Sequence, residues 1–131
     1  MEITQKRPSR FILAIVICLL TIYVGIFIYG CLCLYFNFGY EDWDLAIYNQ
    51  VFRGLARAKP YISLGDVPFL GIHAEITPAL ITPLYFFFPH PVTLLVIQAI
   101  MLGLGAIPLF FISRKVLSEA WGLVFVIAYL L

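Results

Sequence analysis

The sequence predicts an all-α integral membrane protein, and three observations support this fold class. Hydrophobic residues make up 63% of the 131 residues and charged residues only 11%, whereas charged residues make up about a quarter of a soluble domain. Two uncharged stretches are long enough to cross a bilayer, which takes about 20 apolar residues. The formal net charge is +1, so the chain lacks the basic field that nucleic-acid binding requires, and we expect no nucleic-acid partner.

The first predicted transmembrane helix spans residues 11–36. Lys6, Arg7 and Arg10 lie before it, in an N-terminal segment of residues 1–10. The apolar run is longer than the roughly 7–15 residues of a signal-peptide core, and no small-residue cleavage site follows it. We therefore interpret it as an uncleaved anchor whose N-terminus is cytoplasmic, because basic flanks stay on that side.

The second predicted transmembrane helix spans residues 91–112. Arg114 and Lys115 follow it in a predicted cytoplasmic loop, residues 113–118. Two crossings, unlike three, keep both basic clusters in the cytoplasm. Residues 37–90 are therefore predicted to form an external loop of a multi-pass protein in the plasma (cytoplasmic) membrane.

The last segment, residues 119–131, is predicted to begin a third transmembrane helix. At 1.5 Å per residue it covers roughly 20 Å of a hydrocarbon core about 30 Å thick. We therefore expect the chain to be the N-terminal part of a larger fold or the product of a truncated reading frame.

The external loop contains a predicted amphipathic helix over residues 44–57. Asp44 suits its N-cap, because a carboxylate can accept from the unpaired N–H groups of a first turn. An apolar stripe and a polar side with cationic residues are typical of a helix that lies among lipid headgroups. The stripe consists of Tyr48, Val51, Phe52 and Leu55, spaced i, i+3, i+4, i+7.

A second loop segment, residues 76–88, is apolar but short for a span and contains Pro78 and Pro83. A length of roughly 10–14 residues favours an interfacial or re-entrant segment. The external loop is therefore predicted to carry its hydrophobic second half on or within the bilayer surface.

Two arginines of the amphipathic helix are candidate anion contacts. Arg53 and Arg57 are four residues apart, so on a helix they share a face and repel unless an anion lies between them. Either a substrate phosphate or ordinary lipid headgroups would relieve that repulsion.

The remaining ionisable candidates are Asp42, His73 and Glu75. A histidine can bind metal, exchange a proton near neutral pH or only form a hydrogen bond. These groups would approach Asp44 if the loop folds back, which their spacing does not establish. Cys31 and its near neighbour lack further ligands in sequence, so no metal ligand is predicted.

The order of several motifs resembles the start of a family of bacterial and archaeal multi-pass membrane proteins known only as a domain of unknown function. The similar stretches are "DLAIYNQVF" and the segment from "GIHAEITPAL" to "SRKVL", within residues 40–131. Either His73 or Glu75 takes the polar position of that family. The matching residues are Asp44, Leu45, Gln50, His73, Thr77, Pro78, Pro83, Leu84 and Tyr85.

That family is in turn distantly similar to GT-C-type membrane glycosyltransferases, which use lipid-phosphate sugars. The similarity implies that the catalytic carboxylate of the loop is Asp44, or Asp42 in its place, and that it acts as a base on the acceptor or coordinates a metal. It also implies a polyprenyl-phosphate sugar and membrane lipid as partners, and it leaves a divalent metal open as a cofactor. The implied substrate-binding residues are Arg53, Arg57, His73, Glu75 and Gln50.

Whether the chain is an enzyme stays open at the level of sequence. A non-enzymatic membrane scaffold or subunit, whose acids only stabilise a helix end, and a truncated remnant explain the same residues. Transport has the least support, because neither predicted span contains the ionisable group that usually marks a permeation path.

Overall fold

The computed structural model describes residues 7–40, 43–59, 61–62, 67–68 and 75–131. These residues are almost entirely helical, which confirms the all-α fold class. One short antiparallel ladder pairs β1, Tyr61–Ile62, with β2, Val67–Pro68. The helices are α1 Arg10–Phe36, α2 Trp43–Ala56, α3 Thr77–Phe87, α4 Pro91–Leu104, α5 Ala106–Val116 and α6 Glu119–Leu130.

Two helical stretches are long and apolar enough to cross a membrane. The first is α1, with 27 residues and a mean hydropathy of 3.0, and the second is Pro91–Val116, with 26 residues and a mean hydropathy of 2.4. At 1.5 Å per residue each extends about 39 Å or more, which exceeds a hydrocarbon core of about 30 Å. The fold therefore contains the two candidate crossings that the composition predicts.

The turn after the second candidate crossing is shorter than the predicted loop of residues 113–118. Helix α5 continues to Val116, so Arg114 and Lys115 lie in its last turn. Basic side chains are favourable there, because the last carbonyls of a helix carry partial negative charge. Only residues 117–118 separate α5 from α6.

The chain divides into two compact units, which we describe separately. The anchor unit lies within residues 1–30 and 98–131, and the loop unit comprises residues 31–97. The core of the anchor unit is formed by Val16, Ala106, Phe110 and Val126.

The α5–α6 pair of the anchor unit packs closely because of Gly122. A Cβ atom at this position would lie 3.0 Å from the ring of Phe110, whose side chain is fully buried. A glycine is therefore required for the two helix backbones to approach this far.

A break between α4 and α5 interrupts the second candidate crossing at Gly105. Pro108 lacks an N–H group and its ring opposes the carbonyl of Leu104, four residues earlier, so the helix cannot continue regularly. The Tyr129 hydroxyl donates to the carbonyl of Leu102 at 2.9 Å. A Cβ atom at Gly105 would overlap that hydroxyl.

One carboxylate joins the beginning of α1 to the α5–α6 turn in the anchor unit. Oε1 of Glu119 accepts from the backbone N–H of Ser9 at 2.7 Å and lies 3.6 Å from Nε of Arg114. Ser118 caps α6 by accepting from the N–H of Trp121. The beginning of α1 and the end of α5 therefore lie at the same end of this unit.

Helices α1 and α2 end in the same way, although glycine is absent from both positive-φ positions. Phe38 has a φ of 55° and Ala58 a φ of 53°. The next N–H in each case reaches back to close the helix, from Gly39 to the carbonyl of Leu34 at 2.7 Å and from Lys59 to that of Gly54 at 2.8 Å. These bonds form the Schellman pattern, which satisfies carbonyls left unpaired at a helix end.

The limits of α2 correct two of our predictions. The helix begins at Trp43, so Asp44 lies in its first turn and is not its N-cap. Its charge still faces the positive end of the helix dipole. The helix ends at Ala56, and Arg57 lies in the closing turn.

Candidate functional site

Tyr85 of α3 forms the centre of a polar network with α2. Its hydroxyl donates to Oδ1 of Asn49 at 2.6 Å and accepts from Nε of Arg53 at 3.4 Å. The side chain of Tyr85 is 0% exposed, and its ring centroid lies 5.4 Å from that of Phe52. A buried phenol needs a hydrogen-bond partner, and two residues four apart on α2 supply it.

A second tyrosine, Tyr48, joins α2 to Glu75, which lies two positions before the beginning of α3. The hydroxyl of Tyr48 donates to Glu75, at 2.9 Å to Oε2 and 3.2 Å to Oε1. Burial raises the pKa of Tyr48, and the hydrogen bond and charge of Glu75 and the charge of Asp44 raise it further. At neutral pH this phenol is therefore protonated, and it can act as a donor to the carboxylate.

The predicted apolar stripe of α2 is partly buried within the protein. Val51 is 0% and Phe52 is 5% exposed, and Val51 packs against Ile47, Tyr48 and Leu55. The ring of Tyr85 on α3 lies against Phe52. Helix α3 therefore covers part of the stripe.

Arg53 is the arginine that the network holds in place. Its side chain is exposed, and no carboxylate of the described residues forms an ion pair with it. Its Nε is bonded to Tyr85, which orients the remaining guanidinium donors. Arg57 is exposed beyond the end of the helix. An oriented guanidinium is suited to binding phosphate or carboxylate oxygens.

An open groove of about 490 Å³ lies in the loop unit beside this network. It contains one residue of the network, Asn49, and its other lining residues are mainly aromatic or aliphatic. The lining consists of Tyr35, Phe36, Phe38, Tyr40, Leu45, Ala46, Asn49 and Pro91.

Residues 34–131 match the family described as "Predicted membrane protein (DUF2079)". The chain belongs to this family. The match confirms the predicted resemblance to a membrane protein family of unknown function, and similarity to membrane glycosyltransferases is not shown. No curated protein and no solved structure matches the chain.

The part of the chain shared with DUF2079 contains every residue of the network and the whole lining of the groove. It begins at residue 34, within the last turn of α1. The first candidate crossing is thus mostly outside the match, whereas the loop unit is almost entirely within it. The candidate site therefore lies within the part of the chain that matches the family.

The structure brings together some of the residues that the sequence singled out. Arg53 is bonded to Tyr85 and Glu75 to Tyr48, in two separate sets of hydrogen bonds to α2, and Asp44 is close enough to act electrostatically on Tyr48. Gln50 is half-buried on α2 and makes further contacts. Asp42 and His73 lie outside the described residues.

Sequence reasoning missed the roles of three residues: Tyr48, Asn49 and Tyr85. The first was assigned only to the apolar stripe, and the last only to the family motif. The four-residue spacing of Asn49 and Arg53 was a usable signal, because such residues meet on one helical face. Within the described ranges, no three His, Cys, Asp or Glu residues cluster as metal ligands.

Proposed function

We propose that this chain forms the substrate-binding part of a glycosyltransferase-like membrane enzyme that uses a polyprenyl-phosphate-linked sugar at the outer membrane surface. The observation that carries the proposal is the arrangement on α2. Carboxylates lie around Tyr48, and an oriented guanidinium lies at Arg53. Tyr48 and Arg53 are five positions apart on α2, or about 7.5 Å along the helix axis, and Asp44 is nine positions from Arg53, or about 13.5 Å.

A glycosyl transfer uses groups of both charges. A carboxylate removes the proton of the acceptor hydroxyl as the new glycosidic bond forms, and a cation stabilises the phosphate that leaves with the bonding electrons. Asp44 is exposed and is our candidate base, with Asp42 as the alternative. Glu75 accepts from Tyr48 and is better suited to positioning substrate hydroxyls. Arg53 is the candidate phosphate contact.

The test is transfer of labelled sugar from a polyprenyl phosphate by membranes that contain the intact protein. We expect Asp44→Asn to lower the rate by a factor of about 100 or more, the usual contribution of a general base. Membrane insertion should be unchanged, because asparagine is tolerated at the beginning of a helix. Transfer at the wild-type rate by this variant would contradict the proposal.

A non-enzymatic scaffold is the second candidate, because the tyrosine hydrogen bonds also tie α2 to the α3 segment. In that case Tyr85→Phe should lower only the free energy of unfolding, by about 1 kcal/mol, because half-buried Asn49 loses its hydrogen-bond donor. Asp44→Ser should behave as wild type in every assay, since serine serves equally well at a helix N-terminus. Loss of sugar transfer in Asp44→Ser at wild-type stability would exclude the scaffold.

A further inference from the structure

We infer that the groove of the loop unit binds the apolar chain of a polyprenyl phosphate, with the lipid phosphate at Asn49 and Arg53. The choice of this lipid rests on the proposed function, whereas the division into an apolar and an anionic subsite rests on the groove itself. The inference adds a set of chain-binding residues that the transfer chemistry does not require.

The position of the groove indicates that its ligand comes from the bilayer. Tyr35 and Phe36 belong to the last turn of α1, and Pro91 is the first residue of the second candidate crossing. Ends of both candidate crossings therefore line one groove, which places it at the membrane boundary. A volume of about 490 Å³ is within the roughly 300–1,000 Å³ of small-molecule sites.

The wall of the groove presents aromatic surface that lacks a cover in the described residues. Phe38 is 92% exposed and Phe36 is 67% exposed. The Schellman end of α1 holds Phe38 at a positive φ, which is uncommon for a bulky residue and is stabilised here by the hydrogen bond of Gly39. An apolar chain in the groove would remove this aromatic surface from water.

One lining residue, Asn49, and Arg53, which lies one turn further along α2 outside the lining, provide donors for an anion. Oδ1 of Asn49 is occupied by the Tyr85 hydroxyl, and none of the described residues accepts from Nδ2. Arg53 donates to the same hydroxyl through Nε, and the rest of its exposed guanidinium is available. Asn49 and Arg53 are both hydrogen-bonded to the buried hydroxyl of Tyr85 and lie beside the apolar groove. Their remaining donors are therefore suited to binding a phosphate at the head of an apolar chain.

The experiment measures binding of labelled decaprenyl phosphate to the full chain in phosphatidylcholine nanodiscs. Ala46→Phe fills the groove and should weaken binding of both decaprenyl phosphate and uncharged decaprenol by about tenfold or more. A loss of this size corresponds to the apolar contact of a few carbons of the lipid chain. Arg53→Gln should weaken binding of the phosphate by about tenfold and leave that of decaprenol unchanged.

The matched control is Ala79→Phe, which adds the same side chain at an exposed position of α3 outside the groove and should bind as wild type. A photoreactive benzoylphenylalanine in place of Phe38 should crosslink to the probe, whereas one in place of Ala79 should not. Equal binding by Ala46→Phe and Ala79→Phe, or equal crosslinking from both positions, overturns the inference.

Two further outcomes separate this inference from the proposed function. Phosphatidic acid that binds as tightly as decaprenyl phosphate, with the same dependence on Ala46, overturns the assignment of a polyprenyl chain. If Ala46→Phe weakens binding of decaprenyl phosphate but the wild type transfers no sugar, the lipid site is supported and the proposed transferase function is contradicted.

Discussion

Tyr48 and Tyr85 show how two phenols organise the loop unit. Each ring contributes apolar surface between α2 and the α3 segment, and each hydroxyl reaches a polar partner at 2.9 Å or less. Replacing such a hydroxyl leaves a half-buried acceptor without its donor. Hydrogen bonds therefore hold the polar groups of Asn49 and Glu75 in place.

Titration of Tyr48 tests the electrostatics of the site. Glu75→Gln should lower the raised pKa of Tyr48 towards its ordinary value near 10, because it removes the carboxylate charge that disfavours the phenolate. The pKa is measured from the phenolate absorbance as the difference between each protein and its Tyr48→Phe counterpart, since the chain has 8 tyrosines. An unchanged pKa in Glu75→Gln would contradict the network.

The sign of the linked stability follows from the raised pKa. The folded state favours the protonated phenol, so the contribution of Tyr48 to stability is complete below about pH 10 and is lost as the pH rises through the higher folded value. In Tyr48→Phe this alkaline loss should be smaller than in the wild type.

At the scale of helices and turns, glycine decides how closely the helices of the anchor unit approach. A Cβ atom at Gly103 would overlap Cγ2 of Val24 on α1, whereas one at Gly25 would meet nothing within 4 Å. The two glycines lie in apolar helices and differ mainly in this contact. Position in a hydrophobic run therefore does not reveal which glycine is required.

We expect Gly103→Ala to lower the free energy of unfolding by about 1–3 kcal/mol, the usual penalty of overpacking. Gly25→Ala, the matched control, should be neutral or stabilising by up to about 1 kcal/mol, because alanine favours the helix. The measurement is unfolding of the detergent-solubilised chain by titration with SDS.

A double variant identifies the atoms responsible. The combined variant Gly103→Ala/Val24→Ala should lose about 1 kcal/mol less stability than the two single variants lose together. The reason is that alanine at position 24 removes the clash with the new side chain at position 103. Strict additivity would show that these two residues do not compete for space.

At the scale of the whole chain, one carboxylate joins the beginning of α1 to the α5–α6 turn. Glu119 accepts from the backbone of Ser9 and lies beside Arg114. The predicted topology places this end in the cytoplasm and the loop outside, because basic residues stay inside.

Impermeant maleimide labelling of single cysteines tests this topology. Lys59→Cys should react in intact cells and Lys115→Cys only after permeabilisation, and both positions are exposed. Ser113 is a poor labelling position, because its side chain is buried. The background has serine in place of Cys18, Cys31 and Cys33.

Reaction of Lys115→Cys from outside, or of Lys59→Cys only from inside, would reverse the orientation. Because both variants replace an exposed lysine, a difference between them reports membrane side and not side-chain accessibility. The surface chemistry proposed above depends on this result.

The local pattern of residues was sufficient for some features of the loop. The stripe of α2 was predictable because burial of Val51 and Phe52 follows from helical periodicity alone. The end of α2 at Ala56 was not, since alanine at position 58 lacks the signal that glycine gives at a left-handed helix end. The roles of Asn49 and Tyr85 depend on a contact across 36 residues.

The amino-acid sequence by itself determined that this is a helical membrane protein with two candidate crossings, because apolar length and basic flanks act locally and independently of the fold. It also indicated Glu75 and Arg53 as polar groups of interest. Only the tertiary structure decided that Tyr85 of α3 packs against the stripe of α2, and that two tyrosines carry the hydrogen bonds of the loop unit. Those outcomes depend on which surfaces meet after the loop closes, and residue spacing does not encode that contact.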